Sequence, residues 1–162
     1  MKNNIPIPAV LLKNPVHFLS LGFGSGLMPK APGTFGTLAA IPVYLLMANF
    51  SVLIYSIITV ILFLLGIYLC QKTTDELKVH DHSGIVFDEI VGFLITMIAV
   101  PLTWQWIVAG FILFRLFDIL KPWPISWLDK KVHGGLGIML DDVLAGVFSL
   151  AIQHLVLYFN WV

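Results

Sequence analysis

Residues 115–146, RLFDILKPWPISWLDKKVHGGLGIMLDDVLAG, decide how the rest of the chain is read. They hold the only arginine, three of the eight lysines and four of the nine acidic residues, in a chain where 11% of residues are charged. On either side lies a strongly apolar segment. Asp118 closes the first apolar run, the pair Asp141–Asp142 opens the next, and Gly134, Gly135 and Gly137 form a linker between them. An acidic group this near a membrane segment is costly and needs a partner. The stretch therefore predicts that carboxylates from two helices meet at one end of a bundle.

The composition points the same way. Hydrophobic residues make up 59% of the 162 positions, and the mean hydropathy is +0.95, well above that of a soluble globular chain. The predicted fold class is all-α: an integral membrane helical bundle of about five spans with an N-terminal interfacial helix, as one domain over residues 1–162. A net charge of zero argues against nucleic acid as a partner. A single cysteine, Cys70, excludes a disulfide framework and a cysteine-based metal site. Lys2, two early prolines and Lys13 interrupt the N-terminus, which has no small-residue cleavage pattern and is not read as a signal peptide.

The spans follow from length. Residues 9–23 are broken by Lys13 and Pro15 and are expected to lie at the interface. Residues 38–70 would be roughly 50 Å long as one helix, against a hydrocarbon core of ~30 Å. They are read as two spans turning near Asn49, Phe50 and Ser51. Two short spans, about 86–100 and 105–118, are expected around Pro101, and the last span from about 142 to 160. Every lysine then lies on one side with the 71–85 and 118–141 loops, which the positive-inside rule makes cytoplasmic. Trp104, Trp106 and Trp161 fall at the outer interface, and Trp123 and Trp127 at the inner one. A single tilted span over 90–114 would instead separate Asp88 from Asp118.

Five acidic residues adjoin the spans: Asp88, Glu89, Asp118, Asp141 and Asp142. Taken singly, an Asp at a helix start reads as a cap. The set fits that reading poorly, because a cap needs one carboxylate and two helix starts carry adjacent pairs. Asp118 sits near a helix C-terminus, where the dipole disfavours it. Clustered carboxylates repel, and a hard cation such as Mg²⁺, which favours a few carboxylates and a substrate phosphate, relieves that. Asp75, Glu76 and Asp129 are expected in solvated loops.

MPKAPGTFGT, residues 28–37, offers the matching anion end. Gly33 and Thr34 stand at the start of an apolar helix, whose free N–H groups suit a phosphate, and Lys30 adds a point charge. An ordinary Pro-Gly turn with a threonine cap is the other reading. The glycines at 22, 24 and 26 follow no strand and make neither a dinucleotide fingerprint nor a P-loop. Arg115 either pairs with Asp118 or holds a phosphate, and Lys121 stands where it can meet a lipid headgroup. His80, Asp81 and His82 read as solvated loop, with His82 a candidate proton donor. His154, deep in the last span, reads as a structural hydrogen-bonding group.

Three blocks, GFGSGLMPKAPGTFGT (22–37), HDHSGIVFDEIVGF (80–93) and FRLFDILKPWPISWLDKKVHGGLGIMLDDVLAG (114–146), resemble the phosphatidylglycerophosphatase A family of bacterial membranes. The resemblance implies Mg²⁺-dependent hydrolysis of the phosphomonoester of phosphatidylglycerophosphate, in phospholipid biosynthesis at the cytoplasmic face of the inner membrane. It implies that Asp88, Glu89, Asp141 and Asp142 are metal ligands or metal-oriented bases, with Asp118 a further catalytic member. Lys30, Gly33 and Thr34 become phosphate holders, assisted by Arg115 or Lys121. Attack by water and a covalent aspartyl-phosphate are the competing routes. The soluble Asp-x-Asp-x-Thr signature of the second is absent. A small cation transporter or channel with acidic helix ends is the alternative from another class, although transport sites usually lie near the midplane.

Overall fold

The computed structural model describes residues 7–79 and 82–160. Lys2, His80, Asp81 and Trp161, which entered the expectations above, lie outside the described residues. Those that are described form an all-helical chain without a strand. Short 3₁₀ turns over Ala9–Lys13 and Gly22–Leu27 flank α1, Pro15–Ser20. The longer helices are α2 (Pro32–Met47), α3 (Val52–Leu77), α4 (Phe87–Thr96), α5 (Trp104–Leu120) and α7 (Gly134–Asn160), with α6 (Ile125–Lys131) between the last two.

Helices α3 and α7 are long and apolar enough to cross a membrane, with mean hydropathies of 2.7 and 1.8. Only 22% of the apolar window of α3 is buried. A soluble core helix of that hydropathy would be hidden, so α3 has the profile of a helix in lipid. The expected turn near Asn49–Ser51 separates α2 from α3, and the Ser51 hydroxyl accepts from the Ile54 N–H at 3.4 Å. Residues 97–103 likewise break the segment around Pro101 into α4 and α5, as the hairpin reading requires.

Two boundaries differ from expectation. Helix α7 begins at Gly134 rather than at Asp142, because the glycines meant as a linker are its first turn. A β-carbon at Gly135 would collide with the backbone of Ile67 and Gln71, so these glycines let α7 press against α3. The Gln71 side chain caps the new start, accepting from the Gly135 N–H at 2.8 Å. Helix α3 in turn runs on to Leu77, so Asp75 and Glu76 lie on its exposed last turns and not in a loop.

At the centre is α4, buried from Phe87 to Leu94. Gly92 and Gly146 bring it close to α7, where a β-carbon on Gly146 would lie 2.5 Å from the Gly92 carbonyl. Ten residues make a helix of about 15 Å, so α4 ends inside the protein with its last carbonyls out of reach of water. Side chains supply the donors. Tyr55 of α3 reaches Leu94 O at 2.8 Å and Gln153 reaches Thr96 O at 2.9 Å, while just past the helix the exposed His154 donates to Ile98 O at 3.0 Å. The structural role expected of His154 is this bond.

Candidate active site

Asp88 and Glu89 occupy the first turn of α4 and point into the protein, each with only 3% of its surface exposed. Asp142 comes to them from the third turn of α7, also buried. One oxygen from each of the three lies within 4.8 Å of the other two. Asp118, Asp88, Asp141 and Glu89 all bear electrostatically on Asp142. The hairpin of α4 and α5 therefore brings Asp88 and Asp118 to the same end of the bundle. Asp141 and Asp142 stand well inside α7, so neither can act as the helix cap that the sequence also allowed.

Two cations oppose the five carboxylates. Arg115 bonds Asp118 one turn along α5, and its Nη1 stands 3.9 Å from Glu89 Oε1. Lys121 follows the end of α5 in a left-handed conformation, φ 43°, and its ammonium bonds both Asp141 and, at 2.7 Å, Asp129. Burial works to lower the Lys121 pKa, but Asp141 and Asp129 outweigh it and hold the group above the ordinary lysine value. As formal charges the group keeps an excess of three negatives. Glu89 Oε2 and Asp142 Oδ2 are buried with no hydrogen-bond partner, an expensive state for carboxylate oxygens. Hard oxygen donors, mutual repulsion and unpartnered oxygens together fit a divalent cation held by Asp88, Glu89 and Asp142.

Beside this cluster opens a cavity of about 260 Å³, between the start of α2, the end of α5 and the segment before α4. Gly33, Glu89, Arg115, Asp118 and Lys121 line it. Glu89 belongs to both cavity and cluster, so an anion in the cavity would adjoin the carboxylates. The first turn of α2 has no side-chain cap and begins at Pro32, after Ala31 in a left-handed conformation. Pro32 has no N–H, and those of Thr34 and Phe35 bond Ala31 O at 2.9 and 3.3 Å, which leaves the Gly33 N–H as the backbone donor for an anion.

A family model described as phosphatidylglycerophosphatase A matches residues 18–157. The chain belongs to the phosphatidylglycerophosphatase A family. It is 51% identical over 160 residues to the phosphatidylglycerophosphatase A of Haemophilus influenzae (strain ATCC 51907 / DSM 11121 / KW20 / Rd), covering 98% of each chain. It is 49% identical over 146 residues to that of Escherichia coli (strain K12), covering 90% of this chain and 85% of the other. No solved structure matches. The chain is thus an enzyme, a lipid phosphatase.

Within this phosphatidylglycerophosphatase A fold the sequence-derived site residues separate into two groups. Asp88, Glu89, Asp118, Asp142, Gly33, Arg115 and Lys121 meet at the cluster and cavity. Asp141 adjoins them but turns its Oδ2 to Lys121. Thr34 is half-buried and Lys30 exposed, and neither lines the cavity. His82 is buried rather than solvated, its Nδ1 accepting from the Gly84 N–H at 3.0 Å. Sequence reasoning missed Ser83, which lines the cavity, and Asp129, which binds Lys121 instead of standing free in a loop. Ser83 had a signal in its place within the 80–93 block. Asp129 had none, because its partner is eight residues away across a helix break.

Proposed function

We propose that the protein hydrolyses the terminal phosphomonoester of phosphatidylglycerophosphate, yielding phosphatidylglycerol and phosphate, with Mg²⁺ as cofactor. The reaction belongs to phospholipid biosynthesis and takes place at the cytoplasmic face of the bacterial inner membrane. The whole chain acts as a single domain of about five spans, with the N-terminus and the active site cytoplasmic. The observation that carries this reading is the shared wall at Glu89, where a cavity with cationic side chains adjoins a buried carboxylate cluster.

Asp88, Glu89 and Asp142 would hold the Mg²⁺, with Asp141 beside them. When bound, the ion supplies positive charge to the phosphoryl oxygens and lowers the pKa of water. The chain's own residues place the substrate. The α2 N-terminus at Gly33 and the Arg115 guanidinium receive the phosphate oxygens, and Lys121 adds charge at the rim. Water attacks in line: a P–O bond to water forms as the P–O bond to glycerol breaks, and a proton passes to the departing alkoxide. Asp118, which lines the cavity and lies outside the trio that would hold the ion, is the carboxylate placed to take the proton from water. Exposed apolar side chains such as Ile119, beside the cavity, keep the diacylglycerol in lipid.

The test is phosphate release from phosphatidylglycerophosphate in mixed micelles by the purified protein. Activity should vanish after chelation with EDTA and return with Mg²⁺, while excess Ca²⁺ supports less turnover because its looser coordination positions phosphate poorly. Full turnover after thorough chelation would overturn the metal-dependent reading.

A further inference from the structure

We propose that Asp129 is a positioning residue of the active site, whose carboxylate holds the Lys121 ammonium at the border between the carboxylate cluster and the phosphate cavity. The inference rests on the phosphatase reading above. Lys121 Nζ is shared by Asp141, on the cluster side, and Asp129, on α6 at the surface. Bound to Asp141 alone, the ammonium would be drawn into a cluster with a large negative excess and spend its charge there. Asp129 provides a second anchor for the ammonium, at 2.7 Å, on a residue that also lines the cavity.

The backbone supports this placement. Lys121 adopts a left-handed conformation that side-chain-bearing residues rarely hold, with its N–H bonded to Phe117 O. The turn at the end of α5 is thus built around this side chain rather than around a glycine, the usual residue there. Its side chain is 22% exposed, and that of Asp129 is 41% exposed. An ion pair with so exposed a partner adds little stability by itself. Its consequence lies in where it puts the charge. The buried Ile125 fixes the start of α6 against the core, so Asp129 is presented from an anchored element.

The experiment compares Asp129→Asn, Asp129→Glu, Lys121→Met and the Asp129→Asn/Lys121→Met double variant, measuring kcat and KM for phosphatidylglycerophosphate. Asp129→Asn should lower kcat/KM about tenfold, mainly through KM, and Asp129→Glu should recover most of the loss. In the double variant the Asp129 change should add nothing to Lys121→Met, because it acts through that lysine. Amine acylation read by mass spectrometry provides a measure independent of turnover. Lys121 should label several-fold faster in Asp129→Asn than in the parent, with the thermal midpoint unchanged. Parent-like kcat/KM in Asp129→Asn, additive losses in the double variant, or unchanged Lys121 labelling each overturn the proposal. A parent that releases no phosphate from the lipid removes the catalytic role, whereas the labelling still decides whether Asp129 holds the lysine.

Discussion

Gly33 and Glu89 leave no room between them: a β-carbon on Gly33 would overlap Glu89 Oε1 and lie 3.1 Å from Arg115 Nη1. The start of α2 is thus pressed directly against the residues that close the cavity. In Gly33→Ala the displaced atom is the end of a flexible side chain, so stability should fall by no more than about 1 kcal/mol. Activity should fall far more, on the order of 100-fold, because a shift of ~1 Å in reacting groups has that effect. Melting curves and phosphate release, measured on the same preparation, check both halves. A fully active Gly33→Ala would remove α2 from the phosphate site.

The carboxylates can be told apart from helix caps by amide substitution. Asn caps a helix about as well as Asp, so Asp88→Asn should be nearly silent if Asp88 were only a cap. As ligands, Asp88→Asn, Glu89→Gln and Asp142→Asn should each lose at least ~100-fold in turnover, about 2.7 kcal/mol, whereas Asp141→Asn, which removes a partner of Lys121, should lose less. Asp75→Asn and Glu76→Gln, on the exposed end of α3, should stay within about 0.5 kcal/mol of the parent. Asp142→Asn should also melt higher than the parent in EDTA, since it removes one of five mutually repelling charges. It should gain less from added Mg²⁺. Near-parent activity in both Asp88→Asn and Asp142→Asn would leave no metal site.

The proposed orientation, with the lysine-bearing side cytoplasmic, predicts which positions a reagent outside the cell can reach. Lys78, at the end of α3, and Lys130, at the end of α6, are both exposed. Replaced singly by cysteine in a Cys70→Ser background, they should resist a membrane-impermeant thiol reagent in intact cells and react after lysis. Labelling of either position from outside reverses the topology. The Cys70→Ser background itself should keep full activity, because Cys70 is buried with its thiol on Met139 Sδ and belongs neither to the cavity lining nor to the carboxylate trio.

Local sequence was enough for the helical class, for the breaks near Asn49 and Pro101, and for naming the acids that gather at the candidate site. Each is a local property: apolar runs have lengths, prolines stop helices, and adjacent acids beside such runs demand a partner. How those acids are shared depends on helix packing. The glycines at 134, 135 and 137 read locally as a linker, yet packing against Ile67 and Gln71 makes them helix and moves Asp141 and Asp142 into its interior. Neighbours on a helix point about 100° apart, so Asp142 joins Asp88 and Glu89 while Asp141 turns to Lys121. The attachment of Asp129 to Lys121, and the donors from Tyr55 and Gln153 that complete α4, join residues distant in the chain or separated by a helix break. Such contacts depend on how helices meet, and no periodicity along the chain encodes them.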